Sequence, residues 1–125
     1  MQYRNVGKTG EKASALGFGI MRLPGWLDGR IDEEESMEIV AYAIDHGLTY
    51  LDTAFPYING LSEPFVAKIL NAGYRDKVTV ATKLPQWEVK ETAAFEKYLN
   101  QQLERLQMEQ IDFYLIHAID GKAWP

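Results

Sequence analysis

Leu51-Asp52-Thr53-Ala54-Phe55-Pro56-Tyr57 reads as a buried strand that runs straight into a loop carrying an acid and a phenol. Thr49, Tyr50 and Leu51 favour a pleated backbone, and Pro56, which cannot donate a ladder hydrogen bond, stands beyond the strand's end. Asp52 is therefore expected at a C-terminal strand end. In a sheet of parallel strands the carboxyl ends are where sites are built, which makes an ionisable residue there a functional candidate. An aspartate that merely caps a loop is the competing reading.

Before this stretch, Tyr3 to Val6 and Ala13 to Leu16 flank the turn Gly7-Lys8-Thr9-Gly10 and predict a hairpin over about 3–16. Leu16-Gly17-Phe18-Gly19-Ile20-Met21 predicts a first inner strand, with glycines where another backbone or a ligand packs closely. Its Gly-x-Gly is weak ground for a dinucleotide fingerprint, because Arg22 replaces the third glycine and Leu23-Pro24-Gly25 opposes an immediate helix. Asp32 to His46 predicts a helix: Asp32 and Glu35 are spaced as a capping box, Met37, Val40, Ala41 and Ile44 share one face, and Gly47 follows. His46 belongs to that helix's last turn, where a cation suits the dipole, and not to a site. Leu48 to Leu51 is the second inner strand.

Beyond Tyr57, Ser62 is placed to cap a helix with Glu63 and Pro64 in its first turn, Val66, Ile69 and Leu70 on its buried face, and Gly73 at its end. Lys77 to Thr82 predicts a third strand, with Lys83 at its C-terminal end before Pro85. Thr92 to Gln107 predicts the longest helix, with Phe95, Leu99, Leu103 and Leu106 inward and Glu96, Lys97, Glu104 and Arg105 toward water. Ile111 to Ile116 is apolar enough for a strand covered on both faces, and His117 follows it. Strands and helices thus alternate with crossovers of the length that a parallel sheet requires. Asp52, Lys83 and His117 at three strand ends, with Tyr57 in the adjoining loop, would converge on one rim.

Composition bounds the function. With 125 residues, 46% hydrophobic and 25% charged, the chain suits one domain, and its net charge of -5 offers no basic footprint for nucleic acid. The absence of cysteine excludes a disulfide framework, thiolate metal ligation and a thiol nucleophile within these residues. No apolar run is long enough for a membrane span, and no signal peptide is evident, so the cytoplasm is the expected compartment. No metal is expected, since the second histidine, His46, is remote from the rim. Gly-x-Ser-x-Gly does not occur, and paired glycosidic carboxylates are not evident.

A lysine between a carboxylate and a phenol points to proton donation. An adjacent ammonium stabilises phenolate and so makes a phenol a better acid, Asp52 would hold Lys83 charged and in place, and His117 could orient a substrate oxygen. Such a group polarises a carbonyl and protonates the alkoxide as hydride arrives at carbon. That hydride must come from a cofactor.

These residues resemble the aldo-keto reductases. The likeness rests on Met1-Gln2-Tyr3-Arg4 with Gly7-Lys8-Thr9-Gly10, Ser14-Ala15-Leu16-Gly17-Phe18-Gly19, Leu51 to Tyr57 with Ser62-Glu63, Val80-Ala81-Thr82-Lys83 and Asp112-Phe113-Tyr114-Leu115-Ile116-His117. The resemblance implies an α/β fold, the N-terminal half of a (β/α)8 TIM barrel with a β-hairpin at the bottom. Residues 1–125 would form this partial barrel, with four parallel strands and three intervening helices. It implies reduction of a small-molecule aldehyde or ketone by NADP(H), or NAD(H), with Tyr57 as general acid, Asp52 and Lys83 tuning it and His117 orienting the carbonyl. The cofactor-binding residues it implies are Gly19, Ile20, Met21 and Asp52. The opening and the Gly-Phe-Gly-x-Met-Arg-Leu-Pro stretch look most like a bacterial branch that often carries a C-terminal ferredoxin-like extension; an iron-sulfur cluster is expected only with such an extension. A complete barrel takes ~250 residues, and a fourth outer helix should begin near Ala123-Trp124-Pro125. The chain is therefore either a fragment or a natural half-length product; a fragment is expected, inactive alone and prone to self-association through its open edges. A non-catalytic half-barrel serving binding or assembly is the alternative.

Overall fold

Side chains along Tyr50-Leu51-Asp52 alternate between two faces of a sheet, and Leu51 is fully buried while its neighbours are half-buried. The computed structural model, which describes residues 1–121, builds outward from this strand. β1 (Tyr3–Asn5) and β2 (Lys12–Ser14) form an antiparallel hairpin with Tyr3 opposite Ser14. β3 (Phe18–Gly19), β4 (Tyr50–Asp52), β5 (Thr79–Leu84) and β6 (Phe113–Ile116) form a parallel sheet in chain order. The crossovers carry α1 (Glu33–Asp45), α2 (Ser62–Ile69) and α3 (Thr92–Leu106). This is the α/β architecture expected. Ala123-Trp124-Pro125 lies outside the described residues.

The three helices cover one face of the sheet. Val40 and Ile44 of α1, Val66 and Ile69 of α2 and Leu106 of α3 pack with Leu51 and Val80 in one apolar cluster. Burying an aliphatic side chain of this size is worth roughly 1.5–3 kcal/mol, so the cluster is what fixes the helices on the sheet. The opposite face presents Tyr50, Asp52, Lys83, Phe113 and Leu115, and the Tyr50 and Phe113 rings meet there at 5.4 Å. The hairpin closes the sheet's N-terminal end. Ser14 and Thr49 exchange backbone-to-hydroxyl hydrogen bonds of 2.9 Å each way, and the Tyr3 hydroxyl donates to Gly47 O at 3.0 Å.

Several local expectations are corrected. Asp32 caps α1, accepting the Glu35 N–H at 3.3 Å, but the reciprocal half of the box is absent because the Asp32 N–H is spent on Pro24 O. The second inner strand starts at Tyr50 and not Leu48, since the Leu48 N–H closes α1 onto Ala43 and Thr49 binds the hairpin. The third strand runs to Leu84, which puts Lys83 inside it, opposite Leu115. Ser62 does not cap α2. It is the helix's first residue, and its buried hydroxyl donates to Ile20 O at 2.5 Å and meets the Thr53 hydroxyl at 2.6 Å. α3 ends at Leu106 because Gln107 turns left-handed at φ 52°. The last strand begins only at Phe113, and it is not covered on both faces: Leu115 is 41% and Ile116 48% exposed. Asp112 stands just before it, accepting the Val80 N–H at 2.8 Å and pairing with Arg75 at 2.8 Å.

Candidate active site

Asp52 pairs in register with Ala81, so Lys83, two residues further along β5, lies diagonally across from it on the same face. The Lys83 ammonium spends its donors on three oxygens: Asp52 Oδ2 at 2.7 Å, Thr53 O at 2.8 Å and the Tyr57 hydroxyl at 3.1 Å. The lysine side chain is more deeply buried than that of its carboxylate partner, and it also lies 4.7 Å from the centroid of the Tyr57 ring. His117 follows β6, its N–H continuing the ladder to Leu84 O at 3.0 Å. Its ring meets that of Tyr57 edge to face, 5.6 Å between centroids. All four residues are therefore gathered on the C-terminal rim.

Burial holds His117 below the ordinary imidazole range; the nearby Lys83 charge pushes the same way, and Asp52 opposes it. The imidazole is thus neutral near pH 7. Its Nδ1 is buried without a hydrogen-bond partner among the described residues. Trp87, in the loop after β5, forms a second wall against the imidazole, 5.1 Å between ring centroids. Its signal was its place: an aromatic residue three positions past a strand's C-terminal end.

The residues proposed for a cofactor divide. Gly19 pairs with Asp52 in register, and a Cβ placed on it would meet nothing within 4 Å, so the strand offers open backbone beside Asp52. Met21 is exposed. Ile20 is fully buried in the core, its N–H is bonded to Asp52 O at 2.8 Å and its carbonyl to Ser62, which leaves none of its groups turned to the rim. Gly17 is the tight glycine of this strand, its virtual Cβ lying 3.1 Å from the Tyr50 ring.

A second polar cluster lies behind Lys83, on the helix side of the sheet. Glu63 is fully buried, and its Oε1 accepts from Thr82 at 2.7 Å and from Gln102 Nε2 at 2.6 Å. Gln102 also donates to Lys83 O at 3.1 Å and accepts the Tyr114 hydroxyl at 2.8 Å. Burial, reinforced by the charge of Glu63, pushes Tyr114 up to about 12, so it remains a donor to Gln102. Glu63 itself is raised by burial, against the opposing hydrogen bonds of Gln102 and Thr82 and the charge of Arg105. Arg105, expected to face water, is half-buried with Nη1 3.2 Å from Glu63 Oε2. That oxygen receives no aligned hydrogen bond, so the contact is one of charge. On the outer side of the Tyr57 loop, Arg105 floors a groove of about 910 Å³ bordered by Phe55, Trp87 and Tyr98. Among the described residues, no group of three or more histidines or acids is arranged to hold a metal, and no helix is long and apolar enough to cross a membrane.

Parallel strands in chain order, helices on one face, a hairpin under the other end and polar residues on the C-terminal rim define half of a (β/α)8 barrel. Residues 15–123 match the profile of the Aldo/keto reductase family. Over the whole chain, 35% of residues are identical to the aldo-keto reductase YhdN of Bacillus subtilis (strain 168), and the match covers 38% of that protein. An aldo-keto reductase of Klebsiella pneumoniae solved with NADPH superposes with a TM-score of 0.74 at 29% identity, over 86% of this chain and 36% of that one. The holo form of an aldo-keto reductase from Bacillus halodurans gives 0.75 at 34% identity, over 92% and 40%. The chain belongs to the aldo/keto reductase family, and it spans less than half the length of these relatives.

Proposed function

We propose that this chain carries the proton-donating half of an NAD(P)H-dependent reductase of small aldehydes or ketones. The observation that supports the reading is the single ammonium of Lys83, bonded at once to Asp52 at 2.7 Å and to the Tyr57 hydroxyl at 3.1 Å. Tyr57 is the general acid: its proton passes to the substrate oxygen, and the phenolate left behind is stabilised by Lys83. Asp52 keeps that ammonium in place. Neutral His117 donates its N–H to the same substrate oxygen and so fixes the carbonyl's orientation. A nicotinamide cofactor, when bound, supplies the hydride that reduces the carbonyl carbon. Gly19, Met21 and Asp52 are the residues of this chain that would border it, and the open backbone at Gly19 fits an approaching planar ring. The NADPH-bound relative from Klebsiella pneumoniae favours NADP(H), with NAD(H) as the alternative.

Since the chain spans 38% of its Bacillus subtilis relative, the activity is assigned to a polypeptide that closes the barrel, and these residues alone are proposed to be inactive. The test is to express these residues within a polypeptide that closes the barrel and follow NADPH oxidation with a panel of aldehydes. Tyr57→Phe should lower turnover by about 10²–10⁴-fold, the range for a lost general acid, with NADPH affinity retained. Near-normal turnover in that variant would remove Tyr57 from the role. A polypeptide that binds NADPH but reduces no carbonyl would favour a half-barrel that serves binding.

A further inference from the structure

The backbone that presents Tyr57 is held in a costly conformation. Ile58 (φ 49°), Asn59 (φ 54°) and Gly60 (φ 82°) are consecutive left-handed residues. Ile58 is β-branched, and left-handed backbone costs such a residue roughly 1–2 kcal/mol, whereas asparagine and glycine tolerate it. Strain of this kind persists only where the surroundings over-determine it, and it gathers at functional positions. The internal turn bonds, Tyr57 N–H to Ala54 O at 3.1 Å and Leu61 N–H to Ile58 O at 3.0 Å, are too local to impose it. Asn59 adds one longer-range bond, to Gly29 O at 3.3 Å.

Ile58 packs against the apolar cluster, and a further restraint comes from α3. The Arg105 guanidinium donates to Phe55 O at 3.3 Å and to Gly60 O, the two carbonyls that bracket the segment, and lies 4.4 Å from the centroid of the Phe55 ring. The planar fork reaches the two carbonyls from two separate nitrogens, Nη1 to Phe55 O and Nη2 to Gly60 O, a spread that the one nitrogen of a lysine at this position does not reproduce. Its charge is balanced by Glu63, fully buried at 3.2 Å, and Glu63 is held in turn by Thr82 and Gln102, whose amide also binds the carbonyl of Lys83. The backbone carrying the phenol and the backbone carrying the ammonium are thereby tied to one buried joint.

We propose that Arg105, seated on Glu63, is a positioning residue that sets the Tyr57 loop against Lys83. This rests on the role given to Tyr57 above. Arg105 makes its polar and ring contacts with Phe55, Gly60 and Glu63 and not with the four rim side chains, so its effect is on geometry: it keeps the phenol within reach of the ammonium without taking part in proton transfer.

Arg105→Lys and Arg105→Met test this in the chain itself by amide hydrogen exchange. The lysine variant keeps a cation for Glu63, which guards against wholesale unfolding, but cannot bridge both carbonyls. Exchange at Tyr57 and Leu61 should quicken by about tenfold or more, while Thr53 and Thr79, bonded into the sheet, keep their rates. Unchanged exchange at Tyr57 and Leu61 in both variants would overturn the proposal. So would an equal acceleration at Thr53 and Thr79, because Arg105 would then support the fold and not the loop. In the active polypeptide, Arg105→Lys should lower kcat and leave the KM for NADPH unchanged; an unchanged kcat alongside a loosened loop would also overturn it. If the unsubstituted polypeptide reduces no carbonyl, the reductase reading fails, and exchange still decides whether Arg105 positions the loop.

Discussion

Lys83 reaches Asp52 across neighbouring strands, its Nζ 2.7 Å from Oδ2, because the register puts it one pleat repeat beyond Asp52's partner Ala81. A slip of one residue in β5 would turn Lys83 to the helix side and lose the pair. The same ammonium satisfies Thr53 O and the Tyr57 hydroxyl. Lys83→Met should therefore cost about 1–3 kcal/mol, since the buried Thr53 carbonyl and two half-buried acceptors lose a charged donor, and on the proposed reading it should abolish reduction in the active polypeptide. Urea denaturation of the variant beside the unsubstituted chain checks the first effect; an unchanged midpoint would mean that water replaces the ammonium.

His117 makes stability depend on pH with a definite sign. Its folded value is lowered by burial and by Lys83, so the unfolded chain binds the proton more readily between the folded value and the ordinary imidazole value of ~6.5. Stability contributed by the neutral ring is full above ~6.5 and declines as pH falls through that window. In His117→Gln this component should vanish. Denaturation midpoints of both proteins, taken at intervals from about pH 7.5 down to pH 5, are the measurement, and parallel profiles would exclude His117 as the source.

Ser62 joins α2 to the residues that immediately follow β3 and β4, through Ile20 O and the Thr53 hydroxyl. Ser62→Ala leaves both without that partner at a buried position, and the expected loss is about 1–3 kcal/mol. Ser62→Gly, which also removes the hydroxyl, should be no milder. A loss near zero would show that Thr53 finds another acceptor.

The sheet's last strand carries the exposed side chains of Leu115 (41%) and Ile116 (48%), and no further strand pairs with β6 among the described residues. Open edges of this kind recruit partners. Purified as 125 residues, the chain should self-associate with rising concentration, and Ile116→Lys should weaken the association. Light scattering over a concentration series tests this; a monomer throughout would mean that the edge is protected.

Much of the rim was legible in the sequence because strands end where β-favouring residues give way to a polar side chain and then a proline or a turn. Asp52 before Pro56 follows that rule, while Lys83 marks the end of its strand to within one residue, since Leu84 continues β5 before Pro85. The buried joint was not legible by the same means. Gln102 stands between Leu99 and Leu106 at helical spacing, and Glu63 shares a face with Val66 and Leu70, so each is a polar residue on an apolar stripe. That is the signal that was available, but it does not say which partners satisfy them. Arg105 reads as solvent-facing from periodicity, because a half-buried arginine can lay its stem along the helix while its head reaches a distant loop. Ser62 was misread since a serine before an apolar run signals a cap, whereas its hydroxyl was claimed by a tertiary contact forty-two positions away. Ile20 was grouped with its neighbours although alternate residues of a strand face opposite ways.

The Ser14–Thr49 exchange and the Tyr3–Gly47 bond fasten the hairpin beneath the sheet, at the end remote from Lys83 and His117. Robustness and chemistry are thereby lodged at opposite poles of the molecule. Substitutions in β1 and β2 can raise or lower the tolerance of the whole chain to mutation while leaving the rim loops free to diverge, which makes the hairpin a reservoir of evolvability for those loops.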